Sequence, residues 1–383
     1  MNAPADHLSG LVVGGGFALA FAFGAIAQHT NFCTMGAVSD VVNIGHWGRL
    51  RMWLLAIAVA VLGTAALAGA GWVDLGRTVY QRPLLPWASL LVGGALFGVG
   101  MTLAGGCANK NLVRIGGGSV RSLVVIVFLA ISAYMTLRGL FAQWRANALD
   151  PLAIDLARLG WKDQSLASAV ARATGLAPRP ALLASAGAVA LALLAFVFAD
   201  RRFRRNATQV AGGVAIGALI VAGWYLTGHV GWGENPDTLE TMTLGTQSHG
   251  PESMSFVGPA AYGLELLLLW TDRSLHVTFG IALIGGVVLG SFACALATRR
   301  FRWEGFASLA DLRNQLLGAA LMGFGGVTAL GCTIGQGLSG VSTLALGSLL
   351  ATAAIVGGAW VTLRLIDWRE QRGSLRTAVA GAG

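Results

Sequence analysis

The amino-acid sequence predicts an all-α protein that crosses a membrane about nine times, and three observations carry that prediction. Only 11% of the 383 residues are charged while 55% are hydrophobic, against roughly 25% charged in a soluble domain. Apolar runs reach roughly 20 residues, the length a helix needs to cross the hydrocarbon core, whereas a membrane β-barrel shows alternating segments of about 10. Glycine occurs 55 times, and small residues let helix backbones approach closely where no water drives packing.

Runs long enough to span fall at about 8–27, 50–71, 87–105, 119–142, 180–199, 208–227, 276–298, 314–330 and 341–364. The first follows an acidic rather than basic start (Met1 to Asp6) and exceeds a typical signal core, so it is expected to be a retained span rather than a cleaved leader. Between the fourth and fifth runs, 143–179 intersperses Arg145, Asp150, Asp155, Arg158, Lys162 and Arg172 with apolar residues, the pattern of an amphipathic helix lying at the interface. Between the sixth and seventh, 228–275 carries Glu234, Asp237, Glu240, Glu252, Pro236, Pro251 and Pro259 and reads as a non-spanning loop. The chain thus divides into a first membrane half, 1–179, and a second, 180–383.

The net charge of +9 sits mostly in arginines at the ends of apolar runs, where the positive-inside rule places them, so the expected partner is the lipid bilayer and not nucleic acid. The clusters Arg201, Arg202, Arg204, Arg205 and Arg299, Arg300, Arg302, with Arg364, Arg369, Arg372 and Arg376, are expected in the cytoplasm. The acidic 228–275 loop then faces outward, the N-terminus lies outside and the C-terminus inside a bacterial inner membrane.

A weak internal repeat fits this scheme. Gly98-Val-Gly-Met-Thr-Leu-Ala-Gly-Gly-Cys107 resembles Gly323-Phe-Gly-Gly-Val-Thr-Ala-Leu-Gly-Cys332, and Cys33 in Asn31-Phe-Cys-Thr-Met-Gly36 falls opposite Ser255 in Met254-Ser-Phe-Val-Gly258. The span count brings Cys107 in from the cytoplasm and Cys332 from outside, the arrangement of an inverted repeat with broken helices near the midplane.

Cys33, Cys107 and Cys332 share one setting: the end of an apolar run, glycine within four residues, and Thr or Asn nearby. A single buried cysteine is by default a small hydrophobe, and Cys294, inside the unbroken run Gly290-Ser-Phe-Ala-Cys294, is read that way. Three in matching helix breaks point further. Such breaks leave backbone groups unsatisfied unless they line a protein cavity, and a half-helix starting at the cysteine aims free N–H groups into it, which favours an anion. A thiol adds a polarizable sulfur and a weak S–H donor suited to a soft sulfur-bearing anion. Lys110 either draws such an anion to the cytoplasmic mouth or anchors the chain at the interface. Asn109, Asn111, Thr333 and Gln336 either line the path or satisfy free backbone groups beside the breaks. His29 and Asn31 flank Cys33 as caps, and His249 and Glu252 are expected to be solvated. The six histidines lack metal-ligand spacing, the 12 tryptophans read as interfacial belts, and no Walker A motif is present, so neither cofactor, metal nor ATP hydrolysis is expected.

At Asn31-Phe-Cys-Thr-Met-Gly36, Gly105-Gly-Cys-Ala-Asn-Lys-Asn111 and Gly331-Cys-Thr-Ile-Gly-Gln-Gly-Leu-Ser-Gly340 the sequence resembles the YeeE/YedE sulfur-transport family, and the likeness runs from the first helix to the last. The resemblance implies two pseudo-symmetric halves with short re-entrant helices. In one branch that takes up thiosulfate, three cysteines pass the ion by S–H···S contacts, roles that fall by motif on Cys33, Cys107 and Cys332. The Ala-Asn-Lys-Asn stretch after Cys107 looks more like a subgroup of sulfur-oxidising bacteria linked to sensing. The leading expectation is a transporter, not an enzyme, in which a sulfur anion reaches Cys332 first, passes a central Cys33 and leaves past Cys107. A sensor reporting to a cytoplasmic regulator is the alternative. A thiol enzyme loading a soluble sulfur carrier ranks last, for want of a general base beside any cysteine.

Overall fold

The computed structural model describes residues 3–235, 239–306 and 308–380. Pro236 and Asp237 of the expected outward loop lie outside the described residues, as do the side chains of Arg372 and Arg376. The first set of elements is α1 (Ala3–Thr30), the six-residue α2 (Thr34–Ser39), α3 (Gly48–Gly69), α4 (Trp87–Leu103), the nine-residue α5 (Ala108–Gly116) and α6 (Val120–Arg138). Short pieces follow, α7 (Leu140–Trp144) and α8 (Leu166–Thr174), then α9 (Pro178–Phe198) and the single turn α10 (Arg201–Arg204). The last set is α11 (Ala207–Tyr225), α12 (Val257–Leu268), α13 (Phe279–Ala297), α14 (Leu309–Thr328), a π-helical turn Gly335–Gly340 and α15 (Leu346–Ala380). The only strands among the described residues form two small antiparallel pairs, Leu84–Leu85 with Ile154–Asp155 and Trp232–Glu234 with Thr241–Thr243.

Among the described residues, eight helices are long and apolar enough to cross a membrane. The ninth expected span, 314–330, is also helical, but α14 opens with Asp311, Arg313, Asn314 and Gln315 and is less apolar than the rest. Local chemistry sets the helix ends. Asn206 caps α11 by accepting from the Gln209 N–H, Ser308 caps α14 through the Asp311 N–H, and Pro178 opens α9, where its missing N–H costs nothing. The last expected span starts at Leu346 rather than 341, because Leu344 takes a left-handed φ of 57° that ends the preceding turn.

Two connecting segments differ from the sequence reading. The 143–179 stretch is not one amphipathic helix: it holds a π-helical turn, a two-residue strand, a 3-10 turn and the nine-residue α8. The 228–275 stretch is not all loop, since its 12-residue apolar helix α12 packs on α6, α13 and α14. A helix that short cannot cross a bilayer alone.

Packing repeats between the two sets. α1 lies along α13 as α11 lies along α3; α4 lies on α15 as α14 lies on α6; α5 packs on α6 and α13 as the Gly335–Gly340 turn packs on α15 and α3. α12 against α6 mirrors α2 against α15. At the centre α4 and α14 cross backbone to backbone. A Cβ on Gly93 would sit 2.8 Å from the Gly325 carbonyl, one on Gly325 would sit 2.5 Å from that of Gly93, and Gly100 and Gly318 meet in the same way at 2.6 Å. Glycine is required there because any side chain would separate the two helices that carry Cys107 and Cys332 at their ends.

Candidate functional site

The breaks in the two sets converge on one buried row of groups. Asn31, at a left-handed φ of 54°, ends α1, and Cys33 caps α2 with its Sγ accepting the Gly36 N–H at 3.3 Å. Gly105, with φ 65°, ends the α4 segment, and Cys107 occupies the cap position of α5. After α14, Cys332 repeats the Cys33 device, its Sγ accepting the Gly335 N–H at 3.4 Å. An amide therefore occupies the sulfur lone pair of Cys33 and Cys332, and each thiol proton is left to donate elsewhere. Cys107 and Cys332 are fully buried and Cys33 is 5% exposed.

The Cys107 thiol faces both the Cys33 thiol and the Thr333 hydroxyl. Cys107 thus stands between Cys33 and the Cys332-Thr333 pair, whereas the sequence reading had placed Cys33 in the middle.

Not every residue around the row plays the same part. Asn111 donates its amide to the Gly106 and Cys107 carbonyls at 3.0 and 3.2 Å, so it repairs the backbone of the break. Gln336 does so with one end only, donating to the Ala329 carbonyl at 2.6 Å while its Oε1 has no protein partner. Asn109, 1% exposed, has no protein partner at either amide atom, the Thr34 hydroxyl is likewise unpartnered, and the Thr333 hydroxyl has nothing beside the facing Cys107 thiol. Leaving a buried polar group unpaired costs about 1–3 kcal/mol. Four such residues lie in the segments that hold the three thiols, with donors and acceptors left free for a polar guest.

The two ends of the row differ. Beyond Cys33, Lys110 donates to the Asn31 Oδ1 at 2.9 Å, Arg114 donates to the Gly105 carbonyl at 2.9 Å, and Arg49 reaches over Gly36 while bound to Asp40 by a bidentate pair. Lys110 and Arg114 lie one helical turn apart on α5 and both act on Cys33. Beyond Cys332 lies a cavity of about 240 Å³ whose wall includes Gly331, Tyr80, Ser255, Tyr262 and Glu252. Ser255 and Tyr80 close on the Cys332 turn: a Cβ on Gly335 would lie 2.6 Å from the Ser255 Oγ and 3.5 Å from the Tyr80 hydroxyl. The Gly335–Gly340 turn is pinned by Ser339 Oγ donating to the Met254 carbonyl at 2.7 Å, and the bend beyond it by Trp224 Nε1 donating to Ser342 Oγ at 3.0 Å.

Sequence reasoning missed Arg49, Arg114, Tyr80 and the position of Glu252. Arg114 had a signal, four residues after Lys110 on one helix face. Tyr80 and Glu252 had none, since both come from connecting segments. Glu252, expected to be solvated, is half-buried in the cavity wall, while His249 is exposed as expected. Cys294 sits apart in an apolar surface groove between α1 and α11, with Ile26, Ala211 and Ala215.

Residues 29–361 match the family described as Sulphur transport. The chain is 26% identical over 391 residues to the thiosulfate transporter TsuA of Escherichia coli strain K12, covering 98% of each chain. It is 25% identical over 356 residues to the thiosulfate transporter TsuA of Spirochaeta thermophila, covering 92% of this chain and 96% of that one.

Proposed function

Because the chain belongs to the Sulphur transport family, we propose that it carries thiosulfate across the bacterial inner membrane by the row Cys332, Cys107, Cys33. The carrying observation is that this row, from cavity to cations, is lined by thiols and by polar atoms with no protein partner. Thiosulfate presents a soft terminal sulfur to an S–H donor and oxygens to Asn109 and Thr333, so each station can replace part of its hydration without holding it as tightly as a buried lysine would. The two full-length relatives named as thiosulfate transporters support the choice of ion.

The arginines at 201–205, 299–302 and 364–369 support an orientation with the Lys110 end in the cytoplasm and the cavity outside. The N-terminus is then external, the C-terminus internal, and the two sets of helices are inverted halves. Thiosulfate carries two negative charges, so an inside-negative potential opposes entry by about 4.6 kcal/mol per 100 mV. That is a concentration ratio of more than about a thousandfold. Inward flux therefore needs rapid removal of the ion where it emerges beside Lys110 and Arg114, a task for a cytoplasmic sulfur acceptor.

The test is uptake of sulfur-labelled thiosulfate into vesicles, wild type against Cys33→Ala, Cys107→Ala and Cys332→Ala. Loss in these three is expected, with Cys294→Ala unaffected. Thiosulfate binding without flux would replace transport by sensing.

A further inference from the structure

The cavity beside Cys332 contains a group that is out of place on an anion route. Its charged lining residues are Arg145 and Glu252. Arg145 is neutralised by Asp150 at 3.3 Å, and the nearby Arg138 is held by the buried Glu265 at 2.9 Å. Glu252 has no ion pair among the described residues. Its carboxylate accepts the Ser248 N–H at 2.7 Å, and its own backbone is clamped to the Thr227 hydroxyl, whose Oγ1 donates to the Glu252 carbonyl at 2.6 Å. The side chain is thus fixed in the wall. Tyr80 lines the same cavity and reaches the Cys332 turn at Gly335.

An ionised carboxylate in that position repels a doubly negative ion across a mainly apolar cavity, where charges are screened less than in bulk water. A neutral carboxyl removes the repulsion and can donate to an anion oxygen. Burial pushes the Glu252 carboxyl up, and the Ser248 hydrogen bonds only partly oppose that rise.

We infer that the outer cavity takes up the sulfur dianion together with one proton, held on the Glu252 carboxyl. The binding step is proton plus ionised Glu252 plus dianion giving neutral Glu252 beside the dianion, so the site changes by one negative charge instead of two. This deepens the transport reading and rests on it. The other groups facing Glu252 are accounted for. Tyr80 and Tyr262, from the 78–80 segment and α12, line the same cavity, Glu265 and Arg138 are paired to each other, Arg145 is paired to Asp150, and the exposed His249 lies in the same loop. His249 is the rival, because a protonated imidazole would also favour an anion at low pH.

The experiment measures KM for sulfur-labelled thiosulfate in vesicles at fixed internal pH and external pH 5 to 8, a range over which thiosulfate keeps both charges. The wild-type KM should climb with pH, approaching about tenfold per unit once Glu252 is ionised, as linkage of one proton requires. Glu252→Gln keeps the acceptor for the Ser248 N–H and should hold a low KM at every pH. Glu252→Asp should restore a slope, and His249→Gln should leave the wild-type slope in place. A flat wild-type KM, a Glu252→Gln protein that keeps the slope, or loss of the slope in His249→Gln overturns the inference. Wild-type vesicles that take up no thiosulfate at any pH overturn the transport reading instead.

Discussion

The two ends of the thiol row are built from equivalent parts and have opposite electrical character. Cys33 and Cys332 each accept an amide three residues on, at 3.3 and 3.4 Å, and each follows a long helix that stops at a left-handed residue. Around Cys33 the neighbours are Lys110, Arg114 and Arg49; around Cys332 they are Tyr80, Ser255 and, across the cavity, Glu252. Two halves with one packing scheme have therefore kept the sulfur acceptor geometry and exchanged the charges. The packing scheme sets where the cysteines stand, and on the proposed route the side chains arriving from other elements set the charge an ion meets at each end.

Cys107, the one station that touches both ends, gives the largest expected effect. Cys107→Ala removes the S–H between Cys33 and Thr333 and should lower thiosulfate uptake by more than about tenfold, equivalent to at least about 1.4 kcal/mol. Cys294→Ala, in its surface groove, should stay within about twofold, since an isolated surface change rarely costs more than about 0.5 kcal/mol. Initial uptake rates, normalised to protein that remains monodisperse in detergent, decide this. Equal loss in the two variants would make Cys107 a packing residue.

Next comes the cationic end. Lys110→Ala leaves Arg114 in place and removes one positive charge beside Cys33. At about 1 kcal/mol per charge pair in a wet site, uptake should fall about fivefold at low ionic strength. Because Lys110 is partly exposed and bonded to the exposed Asn31, the deficit should shrink as salt is raised. A loss that ignores salt would mean that the hydrogen bond to Asn31, and not the charge, is what Lys110 contributes.

The contrast between stations and charges also explains what was legible in the sequence. The spans were readable because lipid imposes a length, and α1, α3, α4, α6, α9, α11 and α13 fall within a few residues of the apolar runs. The cysteines were readable because Gly-Cys after an apolar run signals a helix that must stop inside protein. Their order was not, since it depends on which side chains meet across the two sets of helices, and Cys107 meets both Cys33 and Thr333. Nor were the partners from connecting segments: Tyr80, Ser255 and Glu252 reach the site from stretches whose composition reads as loop, and α12 was hidden among prolines and acids. Asn109 and Asn111 could not be told apart by sequence, although one faces the row and the other the backbone.

That pair gives a third, smaller test, with stability and flux separated. Asn111→Ala frees the Gly106 and Cys107 carbonyls, both buried, and should lower unfolding stability by about 1–3 kcal/mol. Asn109→Ala removes two buried atoms that have no protein partner, so it should cost less stability than Asn111→Ala while uptake falls. If Asn109→Ala unfolds earlier than Asn111→Ala, the roles assigned to the two amides are reversed.

The smallest effect sharpens the comparison from the cavity side, without any substrate. Burial raises the Glu252 carboxyl in the folded protein, so the folded state keeps that proton to higher pH than the unfolded chain does. Its contribution to stability is fully present below the ordinary carboxylate range and is lost as pH rises through the raised value. The exposed Asp272, whose carboxyl is lowered by its hydrogen bonds from Ser274, works in the opposite sense: its contribution is lost as pH falls. Subtracting the Glu252→Gln profile from that of wild type isolates the first group. Thermal unfolding in detergent from pH 4 to 8 should show wild type losing stability relative to Glu252→Gln as pH rises, by an amount too small to shift the fold. Lys110→Ala, at the wet end of the row, should not alter that difference. A difference that is flat with pH would mean the cavity is wet enough to solvate the carboxylate, and the two ends would then differ in charge alone and not in solvation.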